Sequence, residues 1–275
     1  MATAQDVQPI VFKPLSEDIL RLPGGGHEII AAKHEQAWQE TISLSRGEQR
    51  HLNFDFRVPA GHHGAMLRVL RVAAGARLTL SISLRVGAEA DWSSIIAVEG
   101  EGEVVIQRVV SSIGPSAKVF LATVALLNEQ AKLQVDDDIH CDALRSSVTL
   151  RTHTVLNNEA RADVRGRVVV PVGAVGSTVD ESLCHLLLGD KAKARAIPEL
   201  DIAEPDVQCK HRSFIGRPRD EVRFFLQSRG LSEMATNQLL AQGFLRDALR
   251  GASTEVIEHT LNELQLAAGV STFNF

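Results

Sequence analysis

The stretch LLLGDKAKARAIPELDIAEPDVQCKHRSFIGRPRDEVRFFLQSRGLSEMATNQLLAQGFL, residues 186–245, decides the fold, because a strand pattern gives way to a helical one inside it. Before Gly216 the apolar residues come in short alternating segments. After Asp220 they recur every three to four residues, so that Val222, Phe225, Leu226 and Arg229 share one helix face. A first helix is expected over 218–229, ending at Gly230, a residue suited to the left-handed cap. Ser232 can N-cap a second helix, whose stripe of Leu240, Phe244 and Ala248 is flanked by Leu239, Leu245 and Leu249. A third starts at Ser253 and carries Val256, Ile257, Leu261, Leu264 and Leu266.

Towards the N-terminus, residues 38–215 read as one short strand after another. In RLTLSISLRV, residues 77–86, strict alternation places Leu78, Leu80, Ile82, Leu84 and Val86 on one face. Similar segments follow at 104–110, 119–126, 133–139, 148–155, 164–170 and 183–188, separated by Gly, Asn, Asp and Glu. An antiparallel sandwich or barrel fits this pattern, and so does a β-solenoid with parallel rungs. The scarcity of Asn-Gly and Asp-Gly hairpin dipeptides favours the solenoid. Residues 1–37 hold Pro9, Pro14 and Pro23 and then Gly24, Gly25 and Gly26, which suggests an irregular N-terminal segment with a short strand at 10–12. The glycine triplet lacks the following Lys-Ser/Thr and helix start that a phosphate loop needs. The expected division is therefore 1–37, a β core over 38–216 and a helical domain over 217–275.

Composition narrows the function. Among 275 residues, 44% are hydrophobic but only 4% aromatic, with no Tyr, so the core is built of aliphatic residues, as suits thin stacked β layers. A net charge of −5 without a basic stripe argues against nucleic acid and anionic membranes as partners. The N-terminus has no basic region followed by an apolar one, and the apolar run at 121–127, broken by Thr123, is too short to span a bilayer; a cytoplasmic location is expected. Cys141, Cys184 and Cys209 are odd in number, far apart and without a Cys-x-x-Cys pair, which fits reduced thiols and neither a disulfide framework nor a structural zinc site.

Cys209 and His211, two apart on an expected strand, point to one face, where a thiolate and an imidazole can share a metal or sulfur species. A core cysteine beside a surface histidine is the other reading of the same pair. The adjacent pairs His140-Cys141 and Cys184-His185 point to opposite strand faces and make poor local metal sites. GHHG at 61–64, containing His62 and His63, reads as a surface turn. Asp136 and Asp138 can face together, as carboxylates do on polysaccharide-cleaving β-helices, or simply mark a solvated strand end. No Gly-x-Ser-x-Gly, His-Glu-x-x-His or Walker A sequence is present.

Several spaced elements then agree in order: PELDI at 198–202, DVQCKH at 206–211, FFLQSRGLS at 224–232 and Gly243-Phe244. Together they resemble the C-terminal core of the SufB/SufD family of iron–sulfur cluster assembly scaffolds. The likeness continues more weakly at MLRVL (66–70) and AGARLTL (74–80), and tightens at VLNNEA (155–160) and GRVVV (166–170). This resemblance implies a mainly β fold, a right-handed parallel β-helix with a C-terminal α-helical domain. It also implies a non-catalytic scaffold closest to SufD. The Cys209-x-His211 step is similar to the SufD-type pattern, whose histidine lies at the SufB–SufD interface, and the cluster-bearing cysteine of SufB-type chains falls about where Leu226 stands.

By the same resemblance the β-helix pairs with a SufB-like chain or with itself, and the C-terminal helices dock a SufC-type ABC ATPase. The docking candidates are Phe225, Arg229, Gly230, Leu231, Leu240, Phe244 and Leu245. No cofactor is expected to bind tightly; a transient iron–sulfur cluster or iron at the dimer interface is the implied cargo. The chain is short for this family, and the N-terminal helical region of longer members is not expected in it. Two rival readings come from other classes: a carbohydrate-active β-helix enzyme using Asp136 and Asp138, and a purely structural β-solenoid.

Overall fold

The computed structural model describes residues 12–14, 19–22, 26–29 and 36–265. Sixteen strands precede three helices among these residues. They are β1 (Phe12–Pro14), β2 (Ile19–Leu22), β3 (Gly26–Ile29), β4 (Gln36–Leu44), β5 (Gln49–Val58), β6 (His63–Val72), β7 (Arg77–Val86) and β8 (Asp91–Gly100). Then come β9 (Glu103–Ile113), β10 (Lys118–Leu127), β11 (Lys132–His140), β12 (Ser147–Leu156), β13 (Arg161–Val170), β14 (Thr178–Leu187), β15 (Lys193–Ile202) and β16 (Gln208–Gly216). The helices are α1 (Asp220–Gln227), α2 (Glu233–Ala248) and α3 (Thr254–Glu263).

Successive strands alternate between two sheets, so no hairpin joins neighbours in the chain from β4 onwards. One sheet has the order β1-β4-β6-β8-β10-β12-β14-β16 and the other β15-β13-β11-β9-β7-β5-β3-β2. Pairing is parallel throughout except between β2 and β3. The pairs β4–β5, β6–β7, β8–β9, β10–β11, β12–β13 and β14–β15 make six turns of a parallel β-solenoid, and β16 adds one strand beyond them. Register partners on neighbouring turns lie 26 to 32 residues apart in the chain, from Arg77–Glu103 (26) to Arg161–Lys193 (32). This repeat is carried by shape and not by a recurring sequence. The corners turn through left-handed residues, for example Gly75 (φ 72°) and Asn158 (φ 49°), the residue types that tolerate that conformation best.

Burial explains why some strands alternate and others are apolar throughout. β7 alternates as expected, with its five aliphatic residues inside and its polar ones outside. In β10 (KVFLATVALL) every residue except Lys118 is buried, because its outer face is covered too. The cover is α2 and α3, which fold back so that Ala241, Leu245, Ala248, Leu249, Val256, Leu261 and Leu264 pack on Leu67, Val69, Ile95, Ala122, Val124 and Val155 of the first sheet. Arg71 of β6 clamps the end of α3, reaching Glu99 at 2.8 Å and Glu263 at 3.0 Å. Among the described residues no helix covers the second sheet, and its outer face carries a ladder of cross-strand ion pairs.

Two expectations need correction here. The segment 1–37, read as irregular, contributes three short strands in its described parts; Pro14 is tolerated at the end of β1 because β1 is an edge strand. Its glycine triplet falls mostly outside the described residues, Gly26 alone starting β3. The stripe expected on the second helix is rotated: Ala241, Leu245 and Ala248 are buried, Leu240 and Phe244 are half-buried beside them, and Leu239 is 45% exposed. Helix limits otherwise fall close to the expected ones. Ser232 and Ser253 accept hydrogen bonds from the amides of Ala235 (3.1 Å) and Val256 (3.3 Å), and Gly230 has φ 91°. Leu266, placed on the third helix by its spacing, lies outside the described residues.

Candidate functional site

Among the described residues no strand lies beyond β16 at the solenoid's last turn. Ala194, Ala196, Leu200, Val207 and Cys209 pack on the core but stay only half-buried there, and Phe214 (46%) and Ile215 (45%) are exposed. Cys209 sits in register with the inward-facing Val179, and His211 with Glu181, so strand parity puts both side chains on the inner face of β16. The two differ in surroundings: Cys209 is half-buried and His211 exposed. Burial, and then the charge of Cys141, push the Cys209 thiol pKa up, which keeps it a thiol. Among the described residues no three His, Cys, Asp or Glu side chains are placed to hold a metal ion. Cys209 and His211 therefore offer two donor atoms on one face of the last strand.

Beneath His211 lies a polar seam that no local sequence motif marks. Glu181 is completely buried, and neither carboxylate oxygen has a hydrogen-bond partner among the described residues. Room for it comes from Gly166 on the opposite sheet, where an added Cβ would lie 2.2 Å from Glu181 Oε1. Burial, followed by the charges of Asp137 and Glu199, pushes the Glu181 pKa up to about 8, so the side chain carries its proton at neutral pH. Two to three turns further in, Arg108 Nε and Nη2 each donate to a separate oxygen of Asp137 at 2.9 Å, and both residues are fully buried. The only sequence signal is that Glu181, Asp137 and Arg108 take inward parity positions where aliphatic residues are the rule.

The outer face of the same strands is tied to α2. His153 of β12 is buried, and its pKa is lowered to about 4, chiefly by burial, so the ring is neutral. Its Nδ1 lies 3.2 Å from the Phe244 carbonyl oxygen, which can only accept, so Nδ1 carries the proton and Nε2 accepts from Ser182 Oγ at 3.2 Å. Ser182 in turn accepts from Arg212 Nε at 2.8 Å, and Arg212 Nη2 donates to Asp247 of α2 at 3.2 Å.

The docking candidates from the sequence fall into two groups. Leu245 is fully buried under α2, and Leu240 and Phe244 pack on the same seam, Phe244 with its ring 5.0 Å from that of His153. These three hold the helix to its own solenoid, because the first sheet's outer face offers them an apolar seat. Phe225, Arg229, Gly230 and Leu231 lie elsewhere, on or just after α1, which buries none of its residues. Phe224 is 74% and Phe225 51% exposed, the Arg229 guanidinium lies 4.0 Å over the Phe225 ring, and Val222, Met234 and Leu239 add exposed apolar surface nearby in the chain.

Other expectations resolve plainly. Asp136 is bonded by Arg165 at 3.0 Å, and Asp138 faces Arg167 at 3.6 Å and His140 at 3.8 Å; they lie within β11 and not at a solvated strand end, and Asp137 between them points inward. His62 is not exposed as a surface turn would have it: it is 4% exposed, stacked 5.9 Å from the Trp38 ring and tilted against the Trp92 ring at 6.0 Å. His140-Cys141 and Cys184-His185 do split between faces, with Cys184 towards Ser182 (3.3 Å) outside and His185 towards Thr154 (2.7 Å) inside. No helix of the described residues is long and apolar enough to cross a membrane.

A parallel two-sheet solenoid with an uncapped last turn and helices folded back on one sheet defines a class of β-helical assembly proteins with a helical appendage. The sequence model for the SUF system FeS cluster assembly SufBD core domain matches residues 40–244, and the chain belongs to this family of iron–sulfur cluster assembly proteins. It is 25% identical over 183 residues to an iron–sulfur cluster assembly SufBD family protein of Pyrococcus horikoshii, covering 66% of this chain and 41% of the relative. It is 32% identical over 100 residues to the iron–sulfur cluster assembly protein SufD of Escherichia coli, covering 35% and 24%. A SufBD family protein of Mycobacterium tuberculosis is 33% identical over 105 residues, covering 35% and 26%. Each match spans less than half of the relative's length.

Proposed function

We propose that the chain is a SufD-like, non-catalytic scaffold subunit of iron–sulfur cluster assembly acting in the cytoplasm. Its β-solenoid, 38–216, pairs through the open last turn with a SufB-like chain or with a second copy of itself. Its helical part, 217–275, docks a SufC-type ABC ATPase. The observation that supports this reading is a separation of surfaces among the described residues: α2 and α3 are seated on the solenoid, while α1 buries none of its residues and the last turn stays half-exposed. The pairing interface would be the place for cargo. Cys209 and His211 supply two donors there, and a partner chain supplies the rest for a transient iron–sulfur cluster or iron. ATP hydrolysis belongs to the docked ATPase, whose movement pulls on the helices and rearranges the paired solenoids.

The carbohydrate-active reading is less favoured, since Asp136 and Asp138 stand in a ladder beside Arg165 (3.0 Å) and Arg167 (3.6 Å). The experiment is a pull-down of the host's SufC-type ATPase by this chain, as wild type, Phe225→Asp and His211→Ala. Capture by wild type and His211→Ala but not by Phe225→Asp supports the scaffold reading with α1 as the docking face. No capture by wild type overturns the assembly role proposed for the helices.

A further inference from the structure

Residues 211 and 212 of β16 face opposite ways. His211 points to the inner side, at the open end of the solenoid, and Arg212 to the outer side, into the hydrogen-bonded chain under α2. That chain has one direction only. Arg212 Nε–H donates to Ser182 Oγ (2.8 Å), Ser182 donates to the neutral Nε2 of His153 (3.2 Å), and Nδ1–H of His153 donates to the Phe244 carbonyl (3.2 Å). Ser182 and His153 are 0% and 1% exposed, so water does not compete for these bonds. A second link from Arg212 Nη2 to Asp247 (3.2 Å) ties β16 directly to the helix. β16 otherwise pairs only with β14 and, among the described residues, has no strand beyond it, so it is an edge strand held on one side.

We propose that Arg212 is a positioning residue for His211: through Ser182–His153–Phe244 and through Asp247 it makes the place of the last strand, and so of the His211 ring, depend on the place of α2. This rests on the scaffold reading for its purpose, since it gives movement of the helical part a route to the cargo surface. It does not rest on that reading for its test. A shift of α2 along the sheet is felt at both ends of the chain, because His153 bonds the backbone of Phe244 and Arg212 bonds the side chain of Asp247, one helical turn further on. His211 moves because it shares the peptide backbone with Arg212.

The test is a double-substitution cycle on the full chain, with the ring signals of His211 followed by NMR on histidine-labelled protein and those of the buried His62 as a control for the intact solenoid. Asp247→Asn is expected to shift the His211 ring signals when Arg212 is present and to leave them unmoved in an Arg212→Gln background. Phe244→Ala should behave in the same way, and it removes no charge. His62 signals should stay in place in every variant. Equal His211 shifts in both backgrounds would mean that the effect bypasses Arg212, and no shift in either would mean that α2 and β16 are uncoupled; each overturns the proposal. Neither outcome depends on capture of an ATPase, so failure of the pull-down and failure of this cycle are read separately.

Discussion

At the scale of single residues, the buried side chains of this protein include ionisable groups with opposite demands. Folding keeps the proton on Glu181 up to about pH 8, whereas the unfolded carboxyl loses it near 4.5, so stability falls as pH rises between these values. His153 and His185 are lowered to about 4 from 6.5 by burial, so they cost stability as pH falls from 6.5 towards 4. Above pH 6.5 Glu181 acts without them. Chemical denaturation should show the wild type losing about 2 kcal/mol between pH 6.5 and 8, and Glu181→Gln should flatten that decline. Parallel pH profiles for the two would acquit Glu181. The Arg108–Asp137 pair makes a second prediction: Asp137→Asn leaves a buried guanidinium without its counter-charge and should cost about 3–5 kcal/mol, while Arg108→Met with Asp137→Leu should recover most of it.

At the scale of elements, the two helical surfaces should separate cleanly in experiment. Leu245→Ala opens a cavity between α2 and the first sheet and should destabilise by about 2–5 kcal/mol. Phe225→Ala, on a helix with nothing buried, should leave stability within about 0.5 kcal/mol of wild type. In binding to the ATPase the order should reverse, Phe225→Ala losing capture while folded Leu245→Ala keeps it. Ser232→Ala removes the cap of α2 and should cost about 1 kcal/mol, seen as faster amide exchange in the first turn of that helix.

At the scale of the molecule, the consequence of six stacked turns is an end. β16 exposes the edge of an eight-stranded parallel sheet, and the half-buried aliphatic side chains beside it expose the core, a liability that natural folds cover by pairing. Self-pairing predicts a dimer by light scattering at micromolar concentration, and Phe214→Asp with Ile215→Lys should return it to a monomer. A monomeric wild type would remove self-pairing and leave the SufB-like chain as the partner for this end.

Much of this was legible in the residues. Alternation in 77–86 placed five side chains inside because a strand has a period of two, and the break after Gly216 marked the helices because their period is different. Ser232, Ser253 and Gly230 declared helix ends by local chemistry that needs no tertiary partner. What the tertiary structure alone decided is which faces meet across the fold. The double burial of β10 depends on helices more than a hundred residues later in the chain, and the rotation of the buried stripe to Ala241 and Leu245 depends on the sheet beneath them. Glu181, Gly166 and Asp137 belong to three strands brought together only when the turns stack, and so do Arg212, Ser182 and His153. Local propensity and periodicity act over a few residues, whereas burial, buried charge and a hydrogen-bonded chain are properties of neighbours that this solenoid brings together at steps of 26 to 32 residues.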